Sequence, residues 1–185
     1  MGEKMQDTRT KIINNALNWL SDHNYQDFSL RQIMQTAGLT TGAFYRNFRD
    51  KEELFHEITL ILSQKMNQEL LEHSESSGDA FDQLLTLAQR LHQKFEQEPQ
   101  VMNFLFFNDS LLGIYQQKEA NFAFLSEIMQ LVHQVNQKNI PDQQLFVQIW
   151  SFIQGYSLLI HHGIVQYDSS LVRMTLLEFA GRNLK

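Results

Sequence analysis

Two apolar stripes at helical spacing, joined at a single glycine, lie between Phe28 and Phe55 and constrain the fold more than any other stretch of the chain. Leu30, Ile33, Met34 and Ala37 recur at i, i+3, i+4 and i+7, the pattern of one helix face. Ser29 stands where an N-cap belongs, and Gln32 three residues on completes a capping box. Phe28 and Ile33 have the spacing of a hydrophobic staple around that cap. Gly38 stops the helix, because a left-handed residue costs glycine least. Thr40 then caps a second helix, and Asp50 with Glu53 gives a further capping signature at the start of a third.

The second helix separates into two faces. Ala43, Phe44 and Phe48 join Leu39 on the inner side, whereas Gly42, Tyr45, Arg46 and Arg49 fall at i, i+3, i+4 and i+7 on the outer side. A short helix with a phenol and two guanidinium groups on its free face suits the major groove of DNA. The spacing predicts a helix-turn-helix.

This segment resembles the DNA-binding region of the tetracycline-repressor (TetR) family of bacterial transcription regulators. The resemblance is carried by Gly38-Leu39-Thr40-Thr41-Gly42-Ala43-Phe44-Tyr45-Arg46-Asn47-Phe48 and by Asp50-Lys51-Glu52-Glu53-Leu54-Phe55. It extends upstream through Ile12, Ala16, Leu17 and the run from Phe28 to Ile33. A match at so many positions is far more specific than a lone glycine pattern. It implies a homodimer that binds an operator in double-stranded DNA and answers to a small-molecule effector, with no cofactor. In that reading Arg46 is the first choice for a base contact, at guanine O6 and N7, with Thr41 and Asn47 as secondary readers. Ser29, Thr40, Tyr45, Lys51 and the Gly42 backbone amide would hold phosphates, and Arg31 would serve either role or pair with a surface acid.

The formal net charge of −6 looks wrong for a DNA binder until it is divided along the chain. Residues 1–55 carry seven basic and seven acidic side chains, net zero; the remainder carries eight basic against fourteen acidic, net −6. The excess acid therefore lies outside the proposed reading head, and the footprint rests on the placement of a few cations rather than on a broad basic patch. Cysteine is absent, which excludes disulfides and thiolate metal sites and fits a reducing cytosol. No apolar run approaches the roughly 20 residues of a membrane span, and the polar start MGEKMQDTRT lacks a signal-peptide core. A cytoplasmic protein is expected.

Along the chain, residues 1–7 read as a loose arm and Thr8 to about His23 as the first helix. A long helix from Asp50 to about Glu72 carries Leu54, Phe55, Ile58, Ile61, Leu62, Met66 and Leu70 on one edge. SESSGD, from Ser74 to Asp79, is the clearest linker. Helices follow over about Asp79–Gln97, Gln100–Phe107 and Leu111–Gln137, then to His162, and from Asp168 to near Arg182. The expected architecture is all-α, about nine helices, with a three-helix reading head over 1–52 and a helical effector-binding and dimerisation domain over 53–185.

Within that larger domain, Phe95, Phe104, Phe107, Phe122 and Trp150 either fill a core or line an apolar cavity. The resemblance favours a cavity, with His92 as its polar candidate and Asn103, Tyr115 and Gln154 behind it. The helix ending at His162 is apolar on two sides, so one side needs a partner. Phe152, Gly155 and Tyr156, with Leu171, Met174, Thr175, Glu178 and Phe179 of the last helix, are read as the dimer surface.

Enzyme and metal chemistry find no support. The seven histidines include no pair three or four residues apart, and no HExxH, P-loop, nucleophile elbow or dinucleotide fingerprint occurs. The reading reached is a ligand-responsive transcriptional regulator, a repressor released from a palindromic operator by a small, largely apolar or aromatic effector. The alternatives are an activator with the same head and a DNA-positioned helical interaction protein.

Overall fold

The computed structural model describes the backbone of residues 2–71, 78–108 and 123–182, and side chains over 7–70, 78–108 and 126–182. The described residues form nine α-helices and one short 3-10 turn, with no strand. These are α1 (Gly2–Asp22), α2 (Leu30–Thr36), α3 (Thr41–Tyr45), α4 (Lys51–Leu71), α5 (Ala80–Gln97), α6 (Pro99–Phe107), α7 (Ala123–Val135), α8 (Asp142–His161) and α9 (Ser169–Ala180); the 3-10 turn is Tyr25–Asp27. The all-α expectation holds. The helix expected from Thr8 instead begins at Gly2. The expected beginning of the seventh helix, near Leu111, lies outside the described residues.

The chain divides into two compact units. One gathers Met1–Ser63 with Glu98–Glu119, the other Gln64–Gln97 with Ala120–Lys185. Helix α4 is continuous across the division.

In the first unit, α1 packs on α2, α3 and α6. Its centre is a dense set of fully buried side chains: Ile12, Ala16, Leu20, Ile33, Phe44, Leu54, Ile58 and Phe104. Edge-to-face rings run from Trp19 to Phe28 (5.4 Å), Phe55 (5.0 Å), Phe104 (5.1 Å) and Tyr25 (5.9 Å). Such pairs add about 0.5–1.5 kcal/mol each beyond area burial. Helix α6, apolar nearly all round, is enclosed as its composition requires, with Met102, Phe104, Leu105 and Phe106 buried.

In the second unit, α5 buries Phe81, Leu84, Leu87, Ala88, Leu91 and Phe95 and packs against α7, α8 and α9. Arg90 Nη1 donates to the Leu70 carbonyl at 2.8 Å, and Lys94 pairs with Glu69, which fixes α5 to the last turns of α4. Asp79 caps α5 by accepting from the Phe81 and Asp82 amides, and Asp168 caps α9 by accepting from those of Ser170 and Leu171. Helix α9 ends at Gly181, whose φ of 74° only glycine tolerates cheaply; a Cβ there would lie 2.7 Å from Lys138 Cγ.

Candidate nucleic-acid interface

The turn between α2 and α3 is built as the sequence requires. Gly38 takes φ 67°, and the Gly38 and Leu39 amides donate to the Gln35 and Met34 carbonyls at 3.0 and 2.8 Å, the Schellman arrangement. Thr40 then caps α3, its Oγ1 accepting the Ala43 amide at 3.2 Å. The inner residues Ala43, Phe44 and Phe48 are buried, while Thr41, Gly42, Tyr45, Arg46 and Arg49 are exposed. Tyr45 is 61% exposed but not loose: its ring meets Phe44 edge-on at 5.3 Å, and Phe44 stacks on Phe48 at 5.4 Å. A Cβ at Gly42 would meet only Thr40 Oγ1, at 3.8 Å, so the backbone here is open to close approach.

The capping box expected at Ser29 does not form. Ser29 is the N-cap by position, yet its side chain makes no capping hydrogen bond. The Ile33 amide reaches the Ser29 carbonyl at 3.0 Å, and burial of Phe28 and Ile33 holds the helix start instead. The Ser29 hydroxyl is thereby left at the surface. The capping signature at Asp50 does form: Asp50 Oδ1 accepts the Glu53 amide, and Glu53 Oε2 accepts the Arg49 amide, both at 2.8 Å.

The basic side chains of the head then sort by partner. Arg9 is committed to structure: it donates to the Asn47 carbonyl and to Glu57, lies 3.5 Å from Glu53, and covers the Phe48 ring at 4.1 Å. Lys11 pairs with Asp7. Arg49 Nε donates to Asp50 Oδ2 at 2.8 Å; this bond holds the Asp50 carboxyl below its usual range and raises the guanidinium. Lys51 lies over the Phe55 ring at 5.1 Å. Neither the Arg31 nor the Arg46 side chain has a hydrogen bond or ion pair among the described residues. Asn47 Nδ2 donates to the Ala43 carbonyl at 2.7 Å, so its amide closes the last turn of α3.

The residues read as effector contacts are divided between the two units and the residues outside those described. His92, Phe95, Trp150 and Gln154 belong to the second unit, Asn103, Phe104 and Phe107 to the first, and Tyr115 and Phe122 lie outside the described residues. Phe104 is wholly buried between Tyr25 and Phe55. His92 is buried to 11% exposure on α5, with Nε2 3.4 Å from Glu96 and its ring stacked on Tyr167 at 4.2 Å.

Of the residues read as a dimer surface, Gly155, Leu171, Met174 and Glu178 are exposed, and Phe152, Tyr156, Thr175 and Phe179 are half-buried. Phe152 stacks on Tyr156 and meets Phe179 edge-on. Val147, Leu158, Leu159, Ile164 and Val165 add exposed apolar area along α8 and the segment that follows it.

Sequence reasoning missed Arg9, Tyr25, Asn108 and Tyr167, each of which acts through a partner far away in the chain. Tyr25 donates its hydroxyl to the Phe107 carbonyl at 2.8 Å, and Asn108 is buried with its amide on the Thr59 hydroxyl at 3.5 Å as well as on the nearby Phe104 carbonyl. Among the described residues no cluster of three metal-ligating side chains occurs, and no helix is long and apolar enough to cross a membrane.

Residues 12–58 match the family model described as bacterial regulatory proteins, tetR family. The chain is similar to the HTH-type transcriptional regulator AcrR of Shigella flexneri, 27% identical over 164 residues, which span 83% of this chain and 76% of that one. It is also similar to the probable acrEF/envCD operon repressor of Escherichia coli K12, 29% identical over 140 residues, 69% of this chain and 63% of that one. In fold it resembles the TetR-like regulator LfrR of Mycobacterium smegmatis, solved in complex with proflavine, at a TM-score of 0.61 and 16% identity over 100% of this chain and 99% of that one. With its helix-turn-helix built as described and α3 turned to solvent, the segment over residues 12–58 is a DNA-binding head of the tetR family, and the chain as a whole is similar to transcriptional regulators rather than to enzymes.

Proposed function

We propose that this regulator is a cytoplasmic homodimeric repressor that leaves a roughly palindromic operator when a small, largely apolar or aromatic effector binds. The observation that carries the reading is the outer face of α3: a fixed tyrosine ridge beside Arg46, a guanidinium with no hydrogen bond or ion pair among the described residues. Arg46 reads a guanine, with Thr41 and Asn47 beside it. Asn47 is the weaker reader, because its amide nitrogen already serves Ala43. Ser29, Thr40, Tyr45, Lys51 and the open Gly42 backbone hold phosphates, and Arg31 adds a further cation. Two such heads demand half-sites about one helical turn apart, or a small multiple of it.

Release works through helix position. Helix α4 runs unbroken from the reading head into the body, so an effector that favours one placement of α4 changes the spacing of the two heads. The similarity to an operon repressor supports repression, and the similarity to a regulator solved with proflavine supports an aromatic effector. The domain division at residues 52 and 53 and the dimer surface on α8 and α9 belong to the same proposal.

Selection of bound duplexes from a random pool, at two salt concentrations, tests it. A two-fold motif that survives the higher salt is expected. Recovery of random duplex at both concentrations, or a monomer in sedimentation, overturns the reading.

A further inference from the structure

We propose that Arg9 is a positioning residue for base reading: its guanidinium fixes the backbone from which Arg46 reaches the DNA, without touching the DNA itself. This rests on the reading of Arg46 given above and adds what holds that side chain in place. Helix α3 is only five residues long, Thr41–Tyr45, and Arg46 is its C-cap, at φ −83° and ψ −18°. So short a helix has little stability of its own, and the bonds around the residues that follow it set where Arg46 stands.

Those bonds come largely from outside α3. Arg9, on α1, donates one terminal nitrogen to the Asn47 carbonyl and the other to Glu57 on α4. The second nitrogen also lies 3.5 Å from Glu53 Oε1, and the guanidinium covers the Phe48 ring at 4.1 Å. Glu53 uses its other oxygen to accept the Arg49 amide at 2.8 Å. Residues 47–49 are thus held in turn: Asn47 by its carbonyl, Phe48 by its ring and Arg49 by its amide. Arg9 makes the first two of these contacts, and its neighbour Glu53 makes the third. The Asn47 backbone amide on the Phe44 carbonyl at 2.8 Å, and Nδ2 on the Ala43 carbonyl at 2.7 Å, complete the hold from within. A planar fork is what this arrangement uses. A lysine ammonium keeps the charge but does not serve a carbonyl and a carboxylate in one plane while lying flat on a ring. Two carboxylates already face the Arg9 charge, so it adds little to the phosphate footprint. A bidentate contact to guanine O6 and N7 tolerates displacements of only about 0.5 Å and 10–20°. Loosening residues 47–49 therefore erodes the preference at one base pair and leaves the remaining footprint intact.

Fluorescence-anisotropy titration of the full chain tests this with two duplexes. One is the selected operator; the other is changed at the base pair whose preference Arg46→Ala relaxes. Thermal unfolding of each variant keeps the titrations below its melting range. The bidentate contact should set the two affinities about 5–150-fold apart in wild type, and Arg9→Lys should lower that ratio at least about threefold. Its salt slope on the changed duplex should match wild type, and in the Arg46→Ala background it should alter the ratio no further. Glu57→Gln, which loosens the hold from α4 at nearly constant size, should lower the ratio in the same direction. An unchanged ratio with a flatter salt slope makes Arg9 a phosphate contact, and an unchanged ratio with only a lower melting temperature makes it a packing residue; either result overturns the proposal. So does a further loss in the Arg46→Ala background. If Arg46→Ala relaxes no single base pair, the base-reading role and this proposal fall together. If it relaxes one and Arg9→Lys leaves the ratio intact, only this proposal falls.

Discussion

At the scale of single residues, the head's charge is spent unevenly. Of its basic side chains, Arg9, Lys11 and Arg49 are matched to carboxylates, while Arg31, Arg46 and Lys51 face outward without an ion pair among the described residues. Base reading and backbone binding therefore have separable signatures. Arg46→Ala should cost about 1–3 kcal/mol of operator affinity and relax preference at one position, whereas Lys51→Ala should weaken every sequence alike. Repeating the duplex selection with each variant distinguishes them; uniform weakening by Arg46→Ala removes its reading role. Arg9 makes the opposite prediction. Half-buried under Phe48, bonded to the Asn47 carbonyl and paired with Glu57, it ties α1 to the ends of α3 and α4. Arg9→Ala should lower the stability of the fold by about 1–3 kcal/mol, read by thermal unfolding, through lost packing and charge-assisted bonds.

At the scale of elements, local rules made most of the head legible. Helix periodicity, the Gly38 stop and the caps at Thr40 and Asp50 are each set by residues within a few positions of one another, so the sequence displays them directly. Ser29 fitted the same rule and failed it, because burial of Phe28 and Ile33 already holds that helix start. Contacts between distant segments were not legible. The Tyr25 hydroxyl reaches the end of α6 across 82 positions, and periodicity carries no trace of such a bond. That bond, with the Phe104 ring between Tyr25 and Phe55, makes α6 part of the same packed unit as the reading helices. Tyr25→Phe keeps the ring and removes the donor; it should leave operator affinity near wild type while reducing the change in that affinity on effector binding. An unchanged ratio of affinities with and without effector removes this role. Helix α5 gives a pH prediction. Asp79 is held below the ordinary carboxyl value by the Asp82 amide first and then by Arg182 at 3.0 Å. Its contribution is present above the unfolded carboxyl pKa of about 3.9 and is lost as pH falls through the lower folded value. Asp79→Asn should narrow the stability difference between neutral and strongly acid pH, measured by denaturant unfolding.

At the scale of the whole molecule, the proposed dimer would use a surface that a single subunit leaves apolar. Leu158, Leu159, Ile164, Leu171 and Met174 are exposed along α8, the segment after it and α9, and Gly155 sits on α8 with no atom within 4 Å of where a Cβ would lie. Inside one subunit, then, Gly155→Ala costs no space and replaces a poor helix former by the best one, a gain of about 0.5–1 kcal/mol. Between two subunits whose α8 helices approach closely, the same methyl group takes up room needed by the partner. The two effects have opposite signs and separate readouts. If α8 lies at the dimer interface, Gly155→Ala should raise the dimer dissociation constant in sedimentation while leaving the helical content of the chain unchanged. If the residue faces solvent, it should raise the melting temperature with no change in assembly. The sign of that shift also bears on DNA binding, since two heads neutralising about two to three phosphates each give a log–log salt slope of about −4 to −5. A mutant that no longer dimerises should show about half that slope. A wild-type slope near −10 would require Arg9, Lys11 and Arg49 to abandon their carboxylates for phosphate, against the pairing found in the head.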